Sequence, residues 1–243
     1  MTHTLNDLYL EHALASYDKR IYLSAMHAKH SWELRLDLAT LSFIGPHDQR
    51  EEYTVQFLGT ASITQNSWLW AWANEAMFSN PEHLASARLL QARGQADQIT
   101  ELTAPETRFD PTQIDRPTSL PERLVSIASG LCRAGAHFRS SYQDGALYML
   151  IKDASFKRPV QRPLTRIARI APMFFSYCLV TDPVRAFEHY LAFYRLESSM
   201  TTNHKVIRVT TAARVGKAAI QLEPQTLIAE FDIQRNFIRC ALT

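Results

Sequence analysis

The chain has 243 residues, 46% hydrophobic and 21% charged, with only seven glycines. That length and balance suit one large domain or two small ones, exclude wholesale disorder, and argue against glycine-rich phosphate loops. The net charge of +2 conceals an asymmetry: residues 1–156 hold 13 Lys and Arg against 18 Asp and Glu, whereas residues 157–243 hold 13 against 6. The sign change points to two units, and the basic second unit suits an acidic partner. The N-terminal residues lack a basic region followed by an apolar one, so no signal peptide is expected. The longest apolar stretch, residues 171–180, is about half of the roughly 20 residues that a spanning helix needs. A cytoplasmic protein without membrane attachment is the expectation, and the well-separated Cys132, Cys178 and Cys240 fit free thiols there.

In chain order, Leu5 to Ala28 carries apolar residues near a 3.6 period and predicts a long helix. Trp32, Leu34, Leu36 and Leu38 alternate with Glu33, Arg35 and Asp37, which predicts a half-buried strand. Thr40 to Ile44 predicts a second strand ended by Gly45-Pro46. Tyr53, Val55 and Phe57 alternate again until Gly59 interrupts. Trp68, Trp70 and Trp72 follow at period two, which would place three indoles on one strand face and Leu69, Ala71 and Ala73 on the other. Asn80-Pro81 predicts a helix start, with the helix stopping at Gly94. Residues 103–117 read as a polar, proline-punctuated loop, and Ser119-Leu-Pro-Glu122 as a capping box opening a helix to Leu131. Residues 136–142 and 146–151 read as a hairpin closed by Gln143-Asp144-Gly145.

Lys157 to Pro163 has two prolines, three cations and no periodicity, and is the predicted linker between residues 1–156 and 164–243. Beyond it, Leu164 to Tyr177 reads as a helix and Asp182-Pro183 caps another through Arg195. Short alternating runs follow at Val206/Arg208, Ala218/Ile220/Leu222, Leu227/Ala229/Phe231 and Phe237/Arg239. The predicted fold class is α+β, in two small units, each a helix with an antiparallel meander.

Phe57-Leu-Gly-Thr60, Trp68-Leu-Trp-Ala-Trp-Ala-Asn74, Glu101-Leu-Thr-Ala-Pro-Glu106 and Gly145-Ala-Leu-Tyr-Met-Leu-Ile151 resemble a bacterial family of unknown function, DUF6882. The tryptophan motif is the specific part, and the resemblance spans most of residues 5–155. It implies a fold unit and brings no catalytic residues.

No assembled catalytic or metal chemistry is legible. His27-x-x-His30 could place two imidazoles together, but His12 lies about four helical turns away and no third ligand follows. Glu188-His189 lacks the second histidine of a zinc-protease motif. Gly216-Lys217 lacks the rest of a phosphate loop, and no GxSxG elbow is present. Glu51-Glu52 and the scattered Glu101, Glu106, Asp110 and Asp115 read as solvated acids. No cofactor, metal or catalytic residue is therefore expected.

Two features remain as candidate binding surfaces. Lys157, Arg158, Arg162, Arg166 and Arg169 form a basic run that reads as a solvated linker or as a surface for an acidic protein partner. It lacks the interleaved aromatics and motifs of a nucleic-acid site. Trp68, Trp70 and Trp72, with Asn74 beyond them, read as core packing or as an aromatic groove. The functional expectation is a non-enzymatic protein-binding module, of the immunity type that neutralises a toxic effector by direct binding. An enzyme or small-molecule binder using the tryptophan face is the alternative, and a nucleic-acid binder using the basic linker is a second one.

Overall fold

Helix α1 (Leu5–Met26) begins at a reciprocal cap, in which Thr4 Oγ1 accepts the Asp7 N–H at 3.1 Å and Asp7 Oδ2 accepts the Thr4 N–H at 3.0 Å. The structure, a computed structural model, describes residues 2–116, 118–157, 162–201, 206–210 and 225–243. The chain divides into two units, Met1–Arg158 and Pro159–Thr243. The fold class is α+β, with antiparallel sheets throughout the described residues.

After α1 come β1 (Ser31–Arg35) and β2 (Thr40–Ile44). β1 is shorter than its alternation predicts because Arg35 already pairs with Thr40, and the turn back is made with Ala39 at φ 46°. Leu36 and Leu38 are left exposed in that turn. β3 (Arg50–Ser62) runs straight through Gly59. Its first half pairs with β2, its second half with β4 (Ser67–Trp70). The ladder absorbs the irregularity as a register shift between Phe57 and Gly59.

Gly59 is required there by close approach. A Cβ on it would lie 2.6 Å from both the Leu69 carbonyl oxygen and the Trp68 ring. Gly59→Ala is therefore expected to cost about 1–3 kcal/mol. In urea titration this should lower the unfolding midpoint with little change in slope; an unchanged midpoint would mean that the strands can spread at no cost.

The tryptophan strand ends at Trp70. Ala71–Ala73 turns as a 3₁₀ segment, so Trp68 and Trp70 share a strand face and Trp72 leaves it. After a 3₁₀ turn at Pro81–Leu84, α2 (Ala85–Asp97) continues past Gly94. Gly94 serves contact and does not stop the helix: a Cβ there would meet the Leu102 Cβ at 2.5 Å. Leu102 lies on the single turn α3 (Thr100–Thr103), and Gln98 at φ 58° makes the bend between the two helices. The expected loop then holds a short strand, β5 (Glu106–Arg108), paired to β4.

α4 (Leu120–Leu131) leads to the hairpin β6 (Ala136–Tyr142) and β7 (Gly145–Ile151), closed by the two residues between Tyr142 and Gly145. The sheet order is β1-β2-β3-β4-β5, with β7 on the other edge of β3's second half and β6 beyond it. β7 is buried along its whole length. On one face Leu147, Met149 and Ile151 join Leu41, Phe43, Val55 and Phe57 in a core cluster. Alternation turns Tyr148 to the other face, where its ring lies 5.4 Å from Trp68. α1 packs on α4 and β6. The buried Lys19 Nζ donates to the Ser129 carbonyl at 3.1 Å, near the C-terminal end of α4 where a cation is favoured.

The second unit has two helices, α5 (Pro163–Tyr177) and α6 (Pro183–Phe193). Its sheet contains β8 (Ser199–Met200), β9 (Val206–Thr210), β10 (Thr226–Phe231) and β11 (Phe237–Leu242), in the order β11-β10-β9-β8. Asp182 caps α6 by accepting the Arg185 N–H at 3.0 Å. Leu227, Ala229 and Phe231 point inward, where Phe231 meets Phe187 edge-on at 6.1 Å. The alternating run at Ala218, Ile220 and Leu222 lies outside the described residues.

Candidate functional site

In the first unit, residues from four places in the chain wall a cleft of about 360 Å³. The last turns of α1 place Arg20, Leu23, Ser24 and His27 at positions i, i+3, i+4 and i+7, hence on one side. His30 follows just past the helix. β1 and β2 contribute the cross-strand pair Trp32 and Phe43. Glu122 comes from the first turn of α4, and His137, Phe138 and Arg139 come from β6.

One end of the lining is charged. The Arg20 guanidinium lies over the Tyr17 ring at 5.3 Å, and its Nη1 stands 3.9 Å from Glu122 Oε2. That spacing is an ion-pair approach too long for a hydrogen bond. Glu122 is 6% exposed, and burial pushes its carboxyl above the ordinary range, with the charges of Arg20 and Arg139 opposing. The local capping explains why this acid is available. Ser119 Oγ accepts the Glu122 N–H at 3.4 Å, but the Ser119 N–H goes to the Arg116 carbonyl at 2.9 Å. The capping box is thus one-sided, and the Glu122 carboxyl turns toward Arg20.

His137 is 3% exposed, with Nδ1 3.2 Å from Ser16 Oγ and Nε2 without a hydrogen-bond partner among the described residues. Burial holds its pKa down to about 3, and the charges of Arg20 and Lys19 add to the effect, so at neutral pH the ring is uncharged. Arg139 Nη1 pairs with Asp115 at 2.7 Å, and its guanidinium lies 5.8 Å from the centre of the Tyr148 ring. Its Nε is unpartnered among the described residues.

The other end is aromatic. His27 stacks on Phe43 at 3.8 Å, with its Nδ1 3.3 Å from the Leu23 carbonyl and its Nε2 3.4 Å from Glu51. Tyr53 donates its hydroxyl to Glu51 at 2.5 Å, and this bond is the main reason that the Glu51 carboxyl sits below its usual range. His30 packs edge-on to His27 at 5.1 Å. Trp32 meets Phe138 edge-on at 5.2 Å and is 41% exposed.

The three motif tryptophans lie behind this lining and not in it. Trp68, Trp70 and Trp72 are 0%, 0% and 8% exposed, which corrects the reading of an open aromatic groove. Trp68 packs edge-on to Trp70 at 5.3 Å and against Tyr148, whose ring carries Arg139. Trp70 donates its indole N–H to the Glu101 carbonyl at 3.0 Å. Trp72 lies under the Arg88 guanidinium at 5.5 Å. Asn74 holds a turn: its carbonyl accepts the Met77 and Phe78 N–H groups at 3.1 and 3.0 Å.

The basic run is divided between the two units. Lys157 is exposed in the first unit, and Arg158 lies outside the described residues. Arg162, Arg166 and Arg169 fall in the second unit at i, i+4 and i+7 on the start of α5. Arg162 and Arg169 are exposed and Arg166 is half-buried with a partner. A cation at a helix N-terminus opposes its dipole, so Arg162, at the N-cap of α5, does not stabilise the helix by its charge. Cys132 and Cys178 are buried free thiols, and Cys240 is a half-buried one. Among the described residues no three His, Cys, Asp or Glu side chains are disposed to hold a metal ion. No described helix is long and apolar enough to cross a membrane.

The cleft residues Arg20, Trp32, Glu122, His137 and Arg139 were not legible as a site. Trp32 alone carried a signal, as the one tryptophan of four outside the motif.

A family model described as a family of unknown function, DUF6882, matches residues 6–154. No curated protein and no solved structure matches the chain.

Proposed function

The chain belongs to the DUF6882 family, of unknown function, and from that premise we propose that it is a protein-binding module that takes part of a partner polypeptide into the cleft of its first unit. The observation that carries this reading is Trp32, 41% exposed among cleft residues that include Arg20 and Glu122. Tryptophan and arginine dominate the binding energy of interfaces when a partner completes their burial. An immunity protein acting in the cytoplasm, which neutralises a toxic effector by covering it, is the form of such a module that we favour. The exposed Lys157, Arg162 and Arg169 would speed encounter with an acidic partner, and the cleft would set residence.

Affinity purification from the native host is expected to recover a stoichiometric polypeptide with the wild-type chain. Trp32→Ala should retain it at least about tenfold less well. Absence of any such partner would sink the proposal. So would a partner held equally by Trp32→Ala but lost when Arg162 and Arg169 are changed to Glu.

One observation favours a second reading, an enzyme or small-molecule binder using the same cleft. Glu122 is a buried acid with a raised pKa, 3.9 Å from a guanidinium and in the same cleft lining as a buried neutral imidazole, and such groups suit proton transfer. A single metabolite that shifts Trp32 emission saturably, in the absence of any partner, would favour it. Nucleic-acid binding through residues 157–169 has the least support, and it would predict duplex binding that weakens steeply with salt.

A further inference from the structure

The charged end of the cleft holds hydrogen-bond donors from which no described residue accepts. Among the described residues the Arg20 guanidinium makes no hydrogen bond: its contacts are the Tyr17 ring and the 3.9 Å approach to Glu122. Arg139 Nε can only donate, and no described residue accepts from it. Buried polar groups nearly always have partners, so the buried Arg139 Nε, beside the partly exposed Arg20 guanidinium, leaves this end with donors open to an incoming acceptor. Arg20 is 35% exposed and so remains within reach of an incoming group. At the aromatic end, Trp32, Phe43 and Phe138 offer apolar surface to whatever adjoins that acceptor.

We propose that the cleft receives a carboxylate carried next to an aromatic or branched apolar side chain, with Arg20 holding the carboxylate and Trp32 with Phe138 covering the apolar group. This inference rests on the cleft being the binding site. Arg20 and Arg139 are the fixed cations of the lining; Arg139 is hydrogen-bonded to Asp115 at 2.7 Å, whereas Arg20 approaches Glu122 only at 3.9 Å, so Arg20 is the guanidinium with donors left for a ligand. A planar guanidinium suits a carboxylate better than any neutral acceptor, because both hydrogen bonds of the fork are charge-assisted. A cationic group would instead be brought up against Arg20. The volume of about 360 Å³ suits one or two side chains and not a folded element.

Three probes that share a phenethyl group separate these cases: N-acetylphenylalaninate, its neutral amide of matched size, and the smaller phenethylammonium. Binding is read by tryptophan emission and, independently, by amide shifts of residues 20–32 and 136–139. The acid is expected to bind about tenfold more tightly than the amide, and the ammonium most weakly. Arg20→Gln should abolish the preference for the acid, and Arg20→Lys should keep part of it. Should Arg20→Gln lose its helical circular dichroism, the lysine variant carries the test alone.

Equal binding of acid and amide, tighter binding of the ammonium, or no saturable binding of any probe would overturn the carboxylate assignment. If the probes fail while a host partner still depends on Trp32, the cleft remains the site and only the carboxylate is wrong. If the probes succeed and no polypeptide partner exists, the protein-binding reading is the one that falls.

Discussion

Acidification from pH 7 to pH 3.5 is expected to destabilise the first unit, most steeply below pH 4.5, and His137→Gln is expected to lose less stability over that range. In the folded chain His137 has a pKa of about 3, against 6.5 unperturbed, because burial and then the charges of Arg20 and Lys19 disfavour the imidazolium. Between those values the unfolded chain binds a proton that the folded chain refuses. Stability therefore rises with pH across this window and is lost as pH falls through it, by at most about 1.4 kcal/mol per pH unit. Glu122 acts with the opposite sign. Its folded pKa is raised above 4.5, so its contribution is fully present below 4.5 and is lost as pH rises above it. The two slopes partly cancel between pH 4.5 and 6.5. Below 4.5 Glu122 is protonated in both states, and His137 alone of the pair sets the slope. Asp153, held at about 2 mainly by its bond from the Ser155 hydroxyl, adds a further loss below about pH 3.8.

All four tryptophans lie in the first unit, so their emission during urea unfolding reports this unit specifically. A series at pH 7, 5.5, 4 and 3.5 should show the steepest loss at the acid end. Parallel losses in wild type and His137→Gln would remove His137 from this role.

Trp68→Ala is expected to cost about 3–5 kcal/mol, the range for emptying an aromatic site in a rigid core. The indole is fully buried between Trp70, Tyr148 and the strand at Gly59, which leaves little room for collapse around the cavity. Trp72→Ala should cost less, because Trp72 sits in a turn, is slightly exposed and has a flexible arginine over its ring. Urea midpoints measured on both variants would settle the order. A Trp72→Ala loss larger than that of Trp68→Ala would contradict the placement of the aromatic core.

Elements defined by local chemistry were legible from the sequence. β2, the β6–β7 hairpin and the capped starts of α4 and α6 follow from alternation, turn residues and N-caps, and all four form where these place them. Elements that depend on tertiary approach were not. Gly59 and Gly94 read as breaks, yet each permits contact with a distant side chain while its strand or helix continues. Period two carried Trp68 and Trp70 correctly and failed at Trp72, where the backbone turns. The cleft was invisible for a related reason. Arg20 falls inside a predicted helix, Glu122 reads as a cap partner, and His137 and Arg139 fall at alternate positions of a predicted strand. Only the packing of α1 on α4 and β6 turns these separate readings into one lining.

A photoreactive phenylalanine analogue at position 32 in the native host tests the cleft most directly, with the same group at exposed Leu89 as the control. A discrete adduct from position 32, absent from position 89 and reduced by Arg20→Gln, is the expected result. No adduct at position 32, or equal adducts at both positions, would contradict the cleft as the place where the partner binds.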